Sequence, residues 1–315
     1  MATRHLYDPK YRRLAEDEYR FITDRQIHTI PIHDDNYPRF LWHCPDAPLL
    51  LFCRGNINLG ATKLISVVGT RNMTRHGADF CQQFLEDLAP WNPVIISGFA
   101  YGVDICAQKA AISLGLQTIG CLAHGLNQIY PRSHEQYRAP VEANGGFVTE
   151  FWSTSKPERI NFLKRNRVIA GMSEATVVIE SAEKGGSLVT AALATDYNRE
   201  VFAVPGRPGD PFSEGTNSLI KTQRAHLLSS AADLIYHLNW DTDLPPSPGV
   251  QKRLFVEMDE TEQRIHDFLE EKGKQFLDDL ALTTGLPVGR AASALLSMEM
   301  KGVVRPLPGK YFELA

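Results

Sequence analysis

Three apolar runs in this chain each break at a turn of small residues and then enter a stretch with helical spacing. They are Ile65-Ser-Val-Val-Gly-Thr-Arg71, Val94-Ile-Ile-Ser-Gly-Phe-Ala-Tyr-Gly-Val-Asp104 and Val177-Val-Ile-Glu-Ser-Ala-Glu-Lys-Gly-Gly-Ser-Leu-Val-Thr190. A strand that turns on glycine into a helix leaves backbone N–H groups unpaired at the positive helix end, and the ligand they suit is phosphate. The units recur. Strand-like runs fall at 64–68, 94–97, 117–122, 147–150, 175–180 and 200–204, with helical runs near 76–89, 102–114, 133–143, 161–171 and 187–198. Such alternation predicts an α/β fold: an extended Rossmann-like, doubly wound, mostly parallel sheet with helices on both faces. Its strands end on one shared edge, where ligands bind, so three turns distant in sequence are expected to converge.

Around this region the pattern changes. A short N-terminal lead-in over 1–44 carries helical spacing from Tyr7 to Ile22 and an extended stretch from Ile27 to Ile32, before a first strand at Leu49-Leu-Leu-Phe-Cys53. The main domain spans 45–240, and Asp241-Thr-Asp-Leu-Pro-Pro-Ser-Pro-Gly249 marks a proline-stiffened linker over 241–252. Within 253–315, helical runs at 261–270, 276–283 and 288–300 precede two strands joined by Pro308-Gly309, the outline of a small winged helix.

With 315 residues and 22% charged side chains, the chain has the composition of an ordinary globular protein, and no apolar run approaches the ~20 residues of a membrane span. The five cysteines are scattered and never in CxxC spacing, which suits reduced thiols and a cytoplasmic setting. A net charge of -4 excludes a protein that coats nucleic acid through a global positive field. Any polyanion site must be local. The run from Lys156 to Arg167 supplies one, with Lys156, Arg159, Lys164, Arg165 and Arg167 against Glu158.

Candidate contacts follow. Arg71 can fork onto a phosphate beside Gly69, or sit in a surface ion pair. Ser97 and Gly98 are placed for phosphate contact, whereas Asp104 fits a helix-dipole role. Gly186 and Ser187 open a helix and suit an anion, with Ser187 alternatively a simple N-cap. Phe162 offers a face for base stacking, although an aromatic on a helix is often core. Lys164, Arg165 and Arg167 cannot share one helix face. The chain carries no P-loop, dinucleotide fingerprint, HExxH or G-x-S-x-G pattern, so no catalytic residue, metal or cofactor is expected.

Taken in order, Val68-Gly-Thr-Arg71, Ser97-Gly-Phe-Ala-Tyr-Gly-Val-Asp104, Tyr130-Pro131, Phe162-x-x-Arg-Asn-Arg-Val-Ile-Ala-Gly171, Gly186-Ser-Leu-Val-Thr-Ala-Ala192, Val204-Pro-Gly206 and Gly215-Thr-Asn-Ser-Leu-Ile220 resemble the DNA-processing protein A family (DprA/Smf). The resemblance spans roughly residues 35–235. It implies sequence-independent binding and protection of single-stranded DNA, a homodimer, and loading of the recombinase RecA during natural transformation, without catalysis. By position it assigns DNA contacts to Arg71, Arg159, Phe162, Arg165 or Arg167, Gly186 and Ser187. Many members carry a helical domain before the Rossmann part; here it is expected to be truncated or absent. The acidic balance of the tail makes the winged helix a poor duplex binder. Two rival readings stay open: a nucleotide sensor, and a nucleotide N-glycosidase of the same wider fold group. Against the latter, Thr190 is followed by Ala191, Ala192 and Leu193, with no acid to serve the hydrolysis.

Overall fold

β-Branched and aliphatic residues in the short apolar runs give fully buried strands, as expected where a sheet is covered on both faces. The computed structural model describes residues 8–240, 258–301, 303–307 and 309–314. Two compact units divide the chain, Met1–Leu244 and Pro245–Ala315.

In the first unit, helix α1 (Pro9–Asp24) leads to β1 (His28–Pro31), the single turn α2 (Arg39–Trp42) and β2 (Leu50–Gly55). Then come β3 (Leu64–Val68), α3 (Arg75–Leu88), β4 (Val94–Ser97), α4 (Val103–Ser113), β5 (Thr118–Cys121), α5 (Arg138–Ala143), β6 (Gly145–Thr149) and α6 (Arg159–Met172). The unit closes with β7 (Ala175–Val178), α7 (Gly186–Asp196), β8 (Glu200–Ala203), α8 (Glu214–Lys221), β9 (His226–Leu227) and α9 (Ala231–His237). The nine strands form one sheet in the order β1-β2-β6-β5-β4-β3-β7-β8-β9. At one edge β1 pairs antiparallel with β2 and β2 antiparallel with β6, and the remaining pairings, from β6 across to β9, are parallel. The doubly wound α/β expectation therefore holds.

Alternation along β3 shows how the two faces fill. Ile65 and Val67 point to the face covered by α3, α4 and α9, packing with Phe84, Leu85, Ala107 and Leu234. Leu64 and Val68 point to the face covered by α6 and α7, packing with Val168, Ile169 and Ala191. The one polar residue of β3, Ser66, is satisfied inside the core by Thr176 Oγ1 at 2.7 Å, since an unpaired buried hydroxyl would be costly.

The lead-in is not separate from the sheet. β1 pairs with β2, and Glu18 on α1 is buried, accepting from Ser153 N (2.9 Å) and Ser153 Oγ (2.5 Å). That bond ties α1 to the loop running into the basic helix. The expected helix at 133–143 is instead a 3-10 segment, Arg132–Tyr137, followed by α5. Pro140 sits in the first turn of α5, where its missing N–H costs nothing.

In the second unit, α10 (Glu260–Lys272), α11 (Leu277–Thr284) and α12 (Val288–Met300) pack with a three-stranded sheet. Its strands β10 (Gln275–Phe276), β11 (Val304–Leu307) and β12 (Tyr311–Leu314) lie in the order β10-β12-β11, a winged-helix arrangement. The linker expected at 241–252 lies outside the described residues.

Candidate nucleic-acid interface

The chain reverses direction across the sheet at β3: β4, β5 and β6 follow on one side, β7, β8 and β9 on the other. The turns after β4, β3 and β7 are therefore neighbours at a topological switch point. They open one groove of 710 Å³, to which Gly69, Thr70 and Arg71 contribute from the first turn, Ala100 and Asp104 from the second, and Lys184, Gly185, Gly186 and Ser187 from the third. The first turns of α6 complete it with Arg159 and Phe162. Charged residues lining the groove are Arg71, Arg159, Arg165 and Lys184 against Asp104, so the site is locally positive in a chain of net charge -4.

Gly185 precedes α7 without a side-chain cap, and a Cβ built on the exposed Gly186 would meet nothing within 4 Å. The positive end of an uncapped helix thus faces open space, the condition for receiving an anion. Asn166 on α6 holds this turn by donating from Nδ2 to the Gly186 carbonyl at 3.5 Å.

Phe162 is half-buried and its ring borders the groove. The guanidinium groups near the ring are those of Arg71, at 5.3 Å from the ring centre, and Arg165, at 5.8 Å. Tyr130, 42% exposed, adds a second ring at 5.7 Å, tilted by 60°. Tyr130 belongs to the motif series read from the sequence, yet nothing local marked it as a groove residue.

Several expected contacts are spent inside the protein. Ser97 is fully buried and donates from Oγ to the Val67 carbonyl at 2.7 Å, so it offers no hydroxyl to a ligand. Gly98 is buried beneath the groove, where a Cβ would come within 2.3 Å of Arg165 Nη1 and 2.6 Å of Asp104 Oδ2. Its role is to make room for those two side chains. Arg165 is 4% exposed and donates from Nη1 to the Gly98 carbonyl and to Cys121 O (2.6 Å). Arg167 forms an ion pair with Glu150, and the exposed Lys164 lies outside the groove lining, near enough to Glu150 to act on its charge. Ser187 lines the groove, but its hydroxyl donates to Ser181 Oγ at 2.9 Å. The turn can still contribute backbone N–H groups.

Burial pushes the Asp104 carboxyl up from its ordinary value, opposed by Arg165 and by the Ala100 N–H, which donates to Oδ2 at 3.3 Å. Burial likewise lowers the Arg165 guanidinium, opposed by Asp104. The pair shares its desolvation and forms the fixed floor of the groove. The Phe99 backbone above it has φ +57°, a conformation costing about 1–3 kcal/mol for a side chain of this size, and is held by packing on Phe147 and by His134 Nδ1 donating to its carbonyl at 3.1 Å. Glu180, at the end of the β7 run, accepts from Thr74 N at 2.8 Å and from the Thr74 hydroxyl, and so braces the start of α3.

Residues 28–239 match the family model described as DNA recombination-mediator protein A, and residues 245–310 match the DprA winged helix domain. Protein Smf of Escherichia coli is 34% identical over 319 residues, covering 99% of this chain and 84% of that protein. DNA processing protein DprA of Bacillus subtilis is 37% identical over 216 residues, covering 68% and 72%. Among solved structures, DNA processing protein A from Streptococcus pneumoniae superposes with a TM-score of 0.64 at 32% identity, covering 69% of this chain and 77% of that one. A structure describing the single-stranded DNA binding mode of DNA processing protein A from Helicobacter pylori gives a TM-score of 0.62 at 29% identity, covering 69% and 97%.

Proposed function

Because this chain belongs to the DNA recombination-mediator protein A family, we propose that it binds single-stranded DNA without sequence preference in the groove at the β4-β3-β7 edge. The observation that carries this reading is the convergence of the three glycine turns, Arg71, Arg159 and Phe162 on one positive groove. In mechanism, the uncapped start of α7 and the Arg71 guanidinium grip the sugar–phosphate strand. Arg159 and Lys184 add charge at the rim, and a base stacks on Phe162, which accepts any base because every base has a π face. Asp104 and Arg165 hold the floor rigid without touching the ligand.

The proposal extends, through family resemblance, to protection of the strand and its delivery to RecA in the cytoplasm during transformation. It also extends to a homodimer formed around residues 210–238. There β9 is the edge strand of the sheet, and Leu227 and Tyr236 are 49% and 73% exposed. We propose no catalytic step. Glu180 is engaged with Thr74, and no acid follows Thr190 at the α7 turn. No described helix is long and apolar enough to cross a membrane.

The direct test is fluorescence anisotropy with labelled oligothymidine across a salt series. Binding whose logarithm falls linearly with log salt supports the reading. Tight binding of a mononucleotide with none of the oligonucleotide would replace it with a sensor, and release of free base from a nucleoside monophosphate would replace it with a glycosidase.

A further inference from the structure

A second cleft of 750 Å³ adjoins the groove on the α4 side. Arg71 lines both. A small gap bordered by Arg71, Tyr101, Tyr130 and Phe162 shares lining residues with both, so the two spaces are neighbours on either side of Arg71. We propose that this second cleft is a further nucleotide subsite, in which a base of the same single strand stacks on Tyr101 while its phosphate meets Lys109. The inference rests on the reading of the first groove as a single-strand site and lengthens its path.

Tyr101 has the geometry of a platform. The residue is 47% exposed, yet its side chain is fixed: its hydroxyl shares a hydrogen bond with Ser133 Oγ at 2.9 Å, and His134 meets its ring edge-on at 4.9 Å and 75°. His134 is itself buried and anchored on the Phe99 carbonyl. A ring already immobilised loses little entropy when a base lands on it. Lys109 is exposed on α4, with its ammonium 5.4 Å from the Tyr137 ring centre. Among the described residues lining this cleft, the charged side chains are Arg71 and Lys109, and none is acidic. In a chain carrying more acids than bases, an aromatic cleft free of acids beside a polyanion groove suits the same ligand.

The cleft also contains its own reporter. Cys106 lines it and is partly exposed, whereas Cys44, Cys53, Cys81 and Cys121 are buried. A hydrogen bond with Cys81 brings the Cys106 thiol down to about 7, with burial opposing and Lys109 assisting, so alkylation at neutral pH should select Cys106.

The experiment measures a length series of oligothymidine against the full chain and its Lys109→Gln and Tyr101→Ala variants, from the shortest oligonucleotide that binds upward. For Lys109→Gln the shortest oligonucleotide should bind as to wild type. With longer ones its salt slope should fall by about 0.7, the loss of one single-strand phosphate contact. Tyr101→Ala should bind the longer ones about tenfold more weakly. Iodoacetamide labelling of Cys106 should be slowed by long oligonucleotides and not by the shortest. Variants that match wild type at every length, or that lose the same factor at every length, would overturn the subsite, as would Cys106 labelling indifferent to length. If Tyr101→Ala fails to fold, Lys109→Gln and the labelling decide. If wild type binds no oligothymidine of any length, it is the first-groove reading that falls, and this one with it.

Discussion

Replacing Arg165 by alanine separates a residue that builds the groove from one that touches its ligand. In the folded protein Arg165 Nη1 donates to two carbonyls, Gly98 O and Cys121 O, and the guanidinium is the main positive neighbour of the buried Asp104. Hydrogen bonds to charged groups contribute about 1.5–3 kcal/mol each. Removing one member of a buried charged pair costs about 3–5 kcal/mol, because the other charge is left in place. These figures overlap, so the expected loss is about 4 kcal/mol, a large share of the roughly 5–15 kcal/mol by which a domain is stable. Urea unfolding of Arg165→Ala measures it. Adding Asp104→Asn removes the stranded carboxylate and should restore about 2 kcal/mol, a non-additivity expected of side chains in one network. The folded fraction of Arg165→Ala should bind oligothymidine with the wild-type salt slope. A variant of wild-type stability with a reduced slope would refute the reasoning and make Arg165 a phosphate contact.

Arg71→Ala should leave stability within about 0.5 kcal/mol, since the residue is exposed, and should lower the salt slope for oligothymidine by about 0.7; an unchanged slope removes it from the site. Phe162→Ala should weaken binding by about 1–3 kcal/mol with the slope preserved, as expected for loss of stacking rather than charge. Glu174 gives a pH test. Burial raises its carboxyl to about 7, Lys63 partly opposing, and its Oε1 lacks a hydrogen-bond partner among the described residues. A folded value above the unfolded one means the folded state holds its proton longer, so this residue's contribution falls as pH rises from about 4.5 to about 7 and is level beyond. Glu174→Gln should therefore stabilise the protein by about 2 kcal/mol at pH 8 and by almost nothing at pH 4 in urea unfolding; an equal gain at both would show that ionisation is not the cause.

Elements with strong period were legible in the chain. β3 and β4 fall on the expected residues, and α3, α6 and α7 lie within about two residues of theirs. The elements after β8 were not. α8, β9 and α9 have two to eight residues each, too short for periodicity to stand above noise, and they exist through packing: Leu234 and Ile235 join the core of one sheet face and Leu219 that of the other. Convergence of the three turns was legible for a different reason. Parallel strands linked by helices must end on one edge, so placing the turns at strand ends already placed them together.

The basic run marks where that reasoning stops. Its composition announced a local positive site, and helical spacing of about 100° per residue kept Lys164, Arg165 and Arg167 off a common face. Spacing gives relative angles but no absolute phase. The phase of α6 is set by Val168, Ile169 and Met172 against the sheet, which turns Arg165 under the groove and leaves Arg167 for Glu150. The chain's own order of residues thus determined that there would be an anion-binding edge and which segments would form it. Only the tertiary structure decided which cations reach the ligand, because that depends on how each helix is rotated by contacts with residues remote in sequence.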